Sequence, residues 1–380
     1  EARGEVARCV VILRYHAGEA VRTMGEVVPA QAEGALQFTM REALGVVALI
    51  TPWNFPLAIP LWKAAPALAF GNTAVLKPAE QSSAIAVMLA ETASAASLPA
   101  GVFNMVLGAG DVTGDALVRD DSVRAVSFTG STAVGARVAA VCARRNICYQ
   151  TEMGGKNVVI VLPDADLDLA ARLTAAGAMR YAGQKCTATS RAVVVKDVED
   201  AFVQRLHAEV EALPLGPVTD SACAVGPLIS AAARDRVLGA LDAHPHGHRR
   251  VSSDERFARG FFVEPAIVRD ADPTSSLAQD ELFGPVLATF TARDAAEAIE
   301  LANRTRYGLS ASIFTRDLGA ALDFVHHIEA GLVRVNGDTT GVDPHAPFGG
   351  VKGSSSGSRE QGSAAREFYT DIKTVQIAAR

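Results

Sequence analysis

Short apolar runs alternate with longer stretches in which apolar residues recur every three or four positions, from about residue 44 to beyond residue 330. LGVVALI (44–50), NTAVLK (72–77), VFNMVLG (102–108) and VRAVSF (123–128) read as strands. SSAIAVMLAETASAAS (82–97), opened by a Ser cap, and STAVGARVAAVCARR (131–145) read as helices between them. This order predicts parallel βαβ units and a doubly wound α/β sheet. A second series follows, with strands NVVIVL (157–162), RAVVVK (191–196), SASIF (310–314) and GLVRVN (331–336). Its helices are DLDLAARLTAAGAMRYA (166–182), one near 199–212, and DAAEAIELANRT (294–305), so a second α/β domain begins near residue 153.

Two segments fit neither series. Residues 25–43 and 366–378 have alternating or β-rich character, and the second would leave a long exposed edge that pairing between subunits could cover. KGSSSGSREQG (352–362) has a loop composition, and no internal repeat is present. A chain of 380 residues suits two or three domains. With 49% apolar and 21% charged residues it has the balance of a soluble enzyme and not of a disordered chain. The net charge of −6 is spread without blocks, which argues against nucleic acid or an anionic membrane as partner. ALGVVALITP is stopped by Pro52 and LAIPLWKAAPALAFG carries Lys63, so neither suits a membrane span.

Five cysteines, at 9, 142, 148, 186 and 223, are odd in number and lack CxxC spacing, which predicts a reducing, cytoplasmic setting. HPHGH (244–248) has no carboxylate or Cys partner nearby and reads as an exposed loop, so no metal is expected. The chain opens at Glu1 in what reads as mid-helix, which suggests a missing N-terminal segment.

Cys186, in YAGQKCTATSR (181–191), sits among small polar residues and beside a lysine, where a packing cysteine would keep apolar company. It is either a nucleophile or an inert loop thiol. Glu152, in TEMGGKN, ends a strand and precedes two glycines that let the backbone pass close to another group. It is a candidate general base or a solvated strand-end carboxylate. Asn54, in TPWNFPL, follows a strand's carboxyl end and suits either an oxyanion or an Asx turn. GAGDVTG (108–114) is a weak dinucleotide fingerprint; SFTGSTAVG (127–135) is better, with Gly130 and then Ser131 at a helix N-terminus suited to a pyrophosphate. Lys77 and Glu80 of VLKPAE stand where a strand ends, and Glu80 would disfavour a 2′-phosphate.

Together these residues resemble the aldehyde dehydrogenase superfamily, from about residue 1 to the end. TPWNFP, KPAE, FTGSTAVG, EMGGK, GQKC, ELFGPV and PFGGVKGSSSGSREQG stand in that family's order, with Met153 in place of the commoner Leu. The resemblance implies a Rossmann-like NAD-binding domain (1–24 and 44–152), an α/β catalytic domain (153–354) and a β oligomerisation flap (25–43 and 366–380). Homodimers or homotetramers follow from the flap. It implies that the Cys186 thiolate attacks the aldehyde, that the Asn54 amide and the Cys186 backbone N–H hold the oxyanion, and that hydride passes to nicotinamide. A water activated by Glu152 then hydrolyses the thioester, with Lys63 and Glu360 as a proton-relay pair. Trp53, Lys77, Glu80, Gly130, Ser131, Glu281 and Phe283 fall at the family's cofactor positions; the cofactor is NAD, with NADP the alternative. Family members carry further elements before the counterpart of Glu1.

Arg180, near the end of the helix before the thiol, falls where succinate semialdehyde dehydrogenases bind the substrate carboxylate, and Trp62 falls where they place a second Arg. EMGGKN, GQKCTATSR and GSREQG look most like the 2-oxoglutarate semialdehyde (2,5-dioxopentanoate) dehydrogenases. Succinate semialdehyde or a broad range of aldehydes are the alternatives, and a surface salt bridge is the other reading of Arg180. A CoA-acylating enzyme would typically lack Glu152, and a non-catalytic scaffold would have lost site residues that are all present here.

Overall fold

The computed structural model of the chain describes residues 1–22, 24–244, 248–250 and 260–378; residues 245–247 of HPHGH lie outside them. The chain forms two compact units. One comprises Glu1–Met153, Val342–Gly349 and Ser355–Arg380, the other Gly154–Gly341 and Gly350–Ser354.

In the first unit the strands Val46–Ile50, Thr73–Lys77 and Phe103–Met105 lie side by side and parallel. The chain then crosses back, so that Val123–Thr129 pairs with the opposite edge of Val46–Ile50 and Cys148–Glu152 follows it outward. Strand order reverses between Val46–Ile50 and Val123–Thr129, where open α/β sheets bind ligands. Ser355–Gly357 adds an antiparallel edge that places Ser355 opposite Glu152. Val47, Ala48, Leu49, Ala125 and Val126 are fully buried, which is why these stretches read as continuous apolar runs. The helix Ala58–Ala69 is capped from a distance: the Leu57 and Ala58 N–H groups both donate to Glu5 Oε1 at 2.9 Å. The expected Ser cap on Ser83–Ala95 is not made through a side chain; a 3₁₀ turn over Glu80–Ser82 precedes that helix, and the Ser82 hydroxyl donates back to the Ala79 carbonyl.

A three-stranded antiparallel sheet joins Val27–Val28, Ala35–Ala43 and Thr370–Ala378, in register from Ala43↔Thr370 to Ala35↔Ala378. Residues 366–369 are not extended. They belong to the helix Gly362–Tyr369, which buries Phe368 and Tyr369.

The second unit has, among the described residues, a seven-stranded sheet in the order His248–Arg250, Ala266–Val268, Val286–Ala292, Thr189–Val195, Asn157–Val161, Ser310–Phe314, Leu332–Val335. Only its first pair is antiparallel. Val159, Ile160, Val193 and Val194 form its centre, packed against Phe202, Leu206 and Val237 of flanking helices. Among the described residues no helix is long and apolar enough to cross a membrane, and no group of His, Cys, Asp and Glu could hold a metal ion.

Candidate active site

A cleft of about 720 Å³ in the first unit opens at the reversal of strand order, and Trp53, Lys77, Glu80, Gly130 and Ser131 all line it. Ser131 is extended and does not cap the helix Thr132–Arg145 with its side chain, so the first-turn N–H groups keep their capacity for an anion. A Cβ on Gly130 would stand 2.6 Å from the Phe128 ring, which explains glycine there. Glu80 Oε1 accepts from the Gly110 N–H at 2.9 Å and lies 3.4 Å from Lys77 Nζ. Its own backbone N–H, then Lys77 and Gly110, hold the Glu80 carboxyl below the ordinary range, so it is anionic at neutral pH. Anion-binding N–H groups beside a fixed carboxylate suit a dinucleotide, whose pyrophosphate and ribose hydroxyls need those two partners.

The same unit builds an acid–base cluster. Lys63 is fully buried, ion-paired with Glu360, and donates to Ser127 Oγ at 2.8 Å. The Ser127 hydroxyl also receives Gln150 Nε2 at 2.8 Å and donates to Glu360 at 3.3 Å. Glu152, 2% exposed, accepts from Ser355 Oγ at 2.5 Å. Burial, then the Glu360 charge, push the Glu152 carboxyl well above the ordinary range, against smaller opposing effects of Ser355, Lys63 and Arg359. Glu152 Oε1 and Glu360 Oε2 are buried with no protein donor among the described residues. Such atoms are ordinarily met by ordered water. Asn54 lies in the loop after Val46–Ile50 and is half-buried, one residue beyond Trp53.

In the second unit, the helix expected to reach Ala182 ends at Met179. Tyr181 (φ 61°), Ala182 (φ 51°) and Gly183 (φ 68°) follow in the left-handed region. A Cβ at Gly183 would stand 2.1 Å from the Gly284 carbonyl oxygen, so that close approach requires glycine. Beyond this turn the half-buried Cys186 is held by its backbone. Asn157 Nδ2 donates to the carbonyls of Cys186 and Ala188, both at 2.8 Å, while Asn157 Oδ1 accepts the Ser310 N–H at 3.0 Å. Thr339 Oγ1 donates to the Thr187 carbonyl at 2.7 Å, and Gln184 Oε1 accepts the Ile229 N–H at 2.9 Å. The close approach expected of the two glycines after Glu152 is present: a Cβ on Gly155 would lie 2.7 Å from the Cys186 carbonyl oxygen, and one on Gly154 would lie 2.2 Å from Glu281 Oε2. Cys186, Asn157 and Glu281 all precede their strands, so this cluster sits at the amino edge of its own sheet, opposite to the usual carboxyl-edge position.

Glu281 accepts the Gly155 N–H at 3.0 Å, and burial pushes its carboxyl up to about 7. Phe283 is left-handed, with φ 55°. Arg180 is exposed and makes no ion pair or side-chain hydrogen bond among the described residues. Trp62, on the first unit, packs among Ile12, Ile59 and Ala65 and against the Phe348 ring, 5.8 Å between centroids.

Ser127, Gln150, Ser355, Asn157 and Thr339 escape sequence reasoning. The one available signal is a polar residue within or at the mouth of an apolar run, as with Ser127 in VRAVSF and Asn157 before VVIVL, since a buried polar group needs a partner.

The aldehyde dehydrogenase family model matches residues 1–375. The chain is 45% identical over 383 aligned residues to the alpha-ketoglutaric semialdehyde dehydrogenase of Bacillus subtilis, covering 99% of this chain and 78% of that one. It is 42% identical over 376 to the 2,5-dioxopentanoate dehydrogenase of Saccharolobus solfataricus, covering 98% and 78%. A crystal structure of an NAD-dependent aldehyde dehydrogenase from Sinorhizobium meliloti superposes with a TM-score of 0.95 at 37% identity, covering 99% of this chain and 75% of that one.

Proposed function

Because the chain belongs to the aldehyde dehydrogenase family, we propose that it oxidises a short aldehyde bearing a distal carboxylate, 2,5-dioxopentanoate first among them, to the corresponding acid. The observation that carries the substrate class is Arg180, an exposed guanidinium six residues before the thiol with no ion pair of its own among the described residues. A guanidinium in that state can take a carboxylate in a bidentate contact. The two relatives named for this semialdehyde support the same choice. Trp62, where succinate semialdehyde dehydrogenases place a second Arg, brings no second charge in this reading.

In this reading the Cys186 thiolate adds to the aldehyde carbon, forming a C–S bond and an alkoxide held by the Asn54 amide and the Cys186 N–H. Bound NAD supplies the hydride acceptor. The fixed loop around Cys186 keeps the sulfur in place while the alkoxide becomes a thioester. Glu152 then takes a proton from water as its oxygen attacks the thioester carbon, the C–S bond breaks, and acid and thiolate separate. A raised affinity for protons suits Glu152 to that role, and Lys63 with Glu360 passes the proton on. Trp53, Lys77, Glu80, Gly130 and Ser131 hold the adenosine and pyrophosphate, and Glu281 with Phe283 the nicotinamide ribose and ring. The anionic Glu80 favours NAD over NADP by repelling a 2′-phosphate. Glu152 also favours water over CoA as the acyl acceptor.

The purified chain is expected to reduce NAD with 2,5-dioxopentanoate and succinate semialdehyde faster than with butyraldehyde. Arg180→Leu should lower kcat/KM for the two acids by roughly 10- to 100-fold, the worth of a charged hydrogen-bonded contact, and leave butyraldehyde unchanged. Equal loss on all three aldehydes would overturn the assignment.

The protein acts in the cytoplasm in this reading, which five cysteines, odd in number and without CxxC spacing, support. It assembles as a homodimer or homotetramer through Thr370–Ala378, an edge strand beside exposed Leu36, Met40, Ile372 and Ile377. Light scattering should give a multiple of the chain mass, reduced by Ile372→Lys; a monomer in the native chain would refute it.

A further inference from the structure

Each residue of the segment 280–282 is gripped. Lys156 Nζ donates to the Asp280 carbonyl at 2.8 Å, the Gly155 N–H to the Glu281 carboxyl at 3.0 Å, and Arg236, on the helix Ala231–Asp242, to the Leu282 carbonyl at 3.3 Å. Arg306 pairs with the Asp280 carboxylate at 2.9 Å. Lys156 is itself anchored: the buried Arg191 donates to the Lys156 carbonyl at 3.0 Å and to those of Leu301 and Ala302. A lysine 3% exposed is costly to keep in a fold unless it has work there. The contact it makes is to the carbonyl immediately before Glu281, on a small cavity that Lys156 and Glu281 line together.

We propose that Lys156 is a positioning residue for the nicotinamide half of the cofactor, holding the Asp280 carbonyl so that the Glu281 carboxylate stands ready for the ribose hydroxyls. This role rests on the NAD reading above and adds to it a residue that does not touch the cofactor. Geometry and charge act together. Glu281 faces Lys156, Arg236 and the Gly155 N–H, with Asp280 beside it. Burial raises the Glu281 carboxyl to about 7, and Lys156 opposes that rise. Burial, then the neighbouring Arg191, bring Lys156 itself down to about 7, opposed by Glu281 and Asp280. Ribose hydroxyls donate to the anionic carboxylate, so NAD affinity should increase as pH rises through about 7 in the native protein. Removing the lysine charge should move that midpoint upward.

The experiment is calorimetric titration of the whole chain with NAD and, separately, with ADP, which lacks the nicotinamide ribose, across the neutral pH range. Lys156→Met should weaken NAD by about tenfold near neutrality, roughly one charge-assisted contact, leave ADP unchanged and shift the pH midpoint upward. Lys156→Gln, which keeps a donor for the Asp280 carbonyl without the charge, should restore affinity at high pH and keep the shifted midpoint. In a Glu281→Gln background, Lys156→Met should have no further effect on NAD. Equal weakening of NAD and ADP, or an undiminished effect of Lys156→Met in the Glu281→Gln background, would overturn the role of Lys156 alone. Native protein that bound neither nucleotide would overturn the cofactor reading and this role with it.

Discussion

Cys186→Ala is expected to lower turnover by about 10⁴-fold or more, the scale at which loss of a covalent nucleophile is felt, with NAD affinity and melting temperature unchanged. The second half of that expectation comes from how the loop is held. Asn157 reaches the carbonyl of residue 186, Gly155 packs beneath that same carbonyl, and Thr339 reaches the carbonyl of Thr187. Alanine keeps every one of these, so the loop keeps its place without its sulfur. The readout is NADH absorbance against 2,5-dioxopentanoate, with calorimetry for NAD binding. Residual turnover within tenfold of the native chain would remove Cys186 from the chemistry; lost turnover with a lowered melting temperature would instead mark the thiol as a packing group.

Glu152→Gln should divide the reaction in two. Acylation needs the thiol and the cofactor, so a single rapid equivalent of NADH per site is expected to survive. Continued turnover needs an activated water, and should fall by about 10²- to 10⁴-fold, the usual worth of a general base. Rapid quench followed by steady-state assay separates the two phases. Unchanged steady turnover would hand the thioester to another acceptor and revive the CoA reading. A stability effect accompanies the kinetic one. The folded protein binds the Glu152 proton more tightly than the unfolded chain does, because of burial and then Glu360. That contribution is complete below the unfolded carboxyl value of about 4.3 and is lost as pH rises toward the folded value. Glutamine has no proton to lose, so the variant's melting temperature should fall less than the native one as pH rises through that window.

The parts of this molecule that could be read from sequence are those governed by local pattern. Val46–Ile50, Asn157–Val161 and Ser310–Phe314 are buried on both faces, and a run of apolar residues is the direct record of that. The candidate site residues could be named because several short stretches occurred together, each weak alone. What could not be read depends on contacts distant in sequence. The apolar pattern of DLDLAARLTAAGAMRYA continues to Ala182, but the backbone turns left-handed at Tyr181 because Gly183 must meet the Gly284 carbonyl about a hundred residues away. REFYTDIKTVQIA reads as β throughout because Phe and Tyr favour strands; burial of Phe368 and Tyr369 on one helix face decides otherwise. Ser127 looks like an ordinary strand residue until Lys63, Gln150 and Glu360 are brought to it.

The first unit is not contiguous in the chain, and this bears on how the protein comes into being at the ribosome. Its sheet through Cys148–Glu152 is synthesised early, but the strand that covers Glu152, Ser355–Gly357, follows only after the intervening unit. At typical synthesis speeds that gap of about 200 residues lasts roughly 10 to 40 seconds. Throughout it the nascent sheet has an open edge and Lys63 has no Glu360 to neutralise it, so burying that ammonium must wait. Such an interval is when holdase chaperones act. Slowing translation between codons 154 and 354 should therefore lower the soluble yield more than the same delay placed upstream of codon 44.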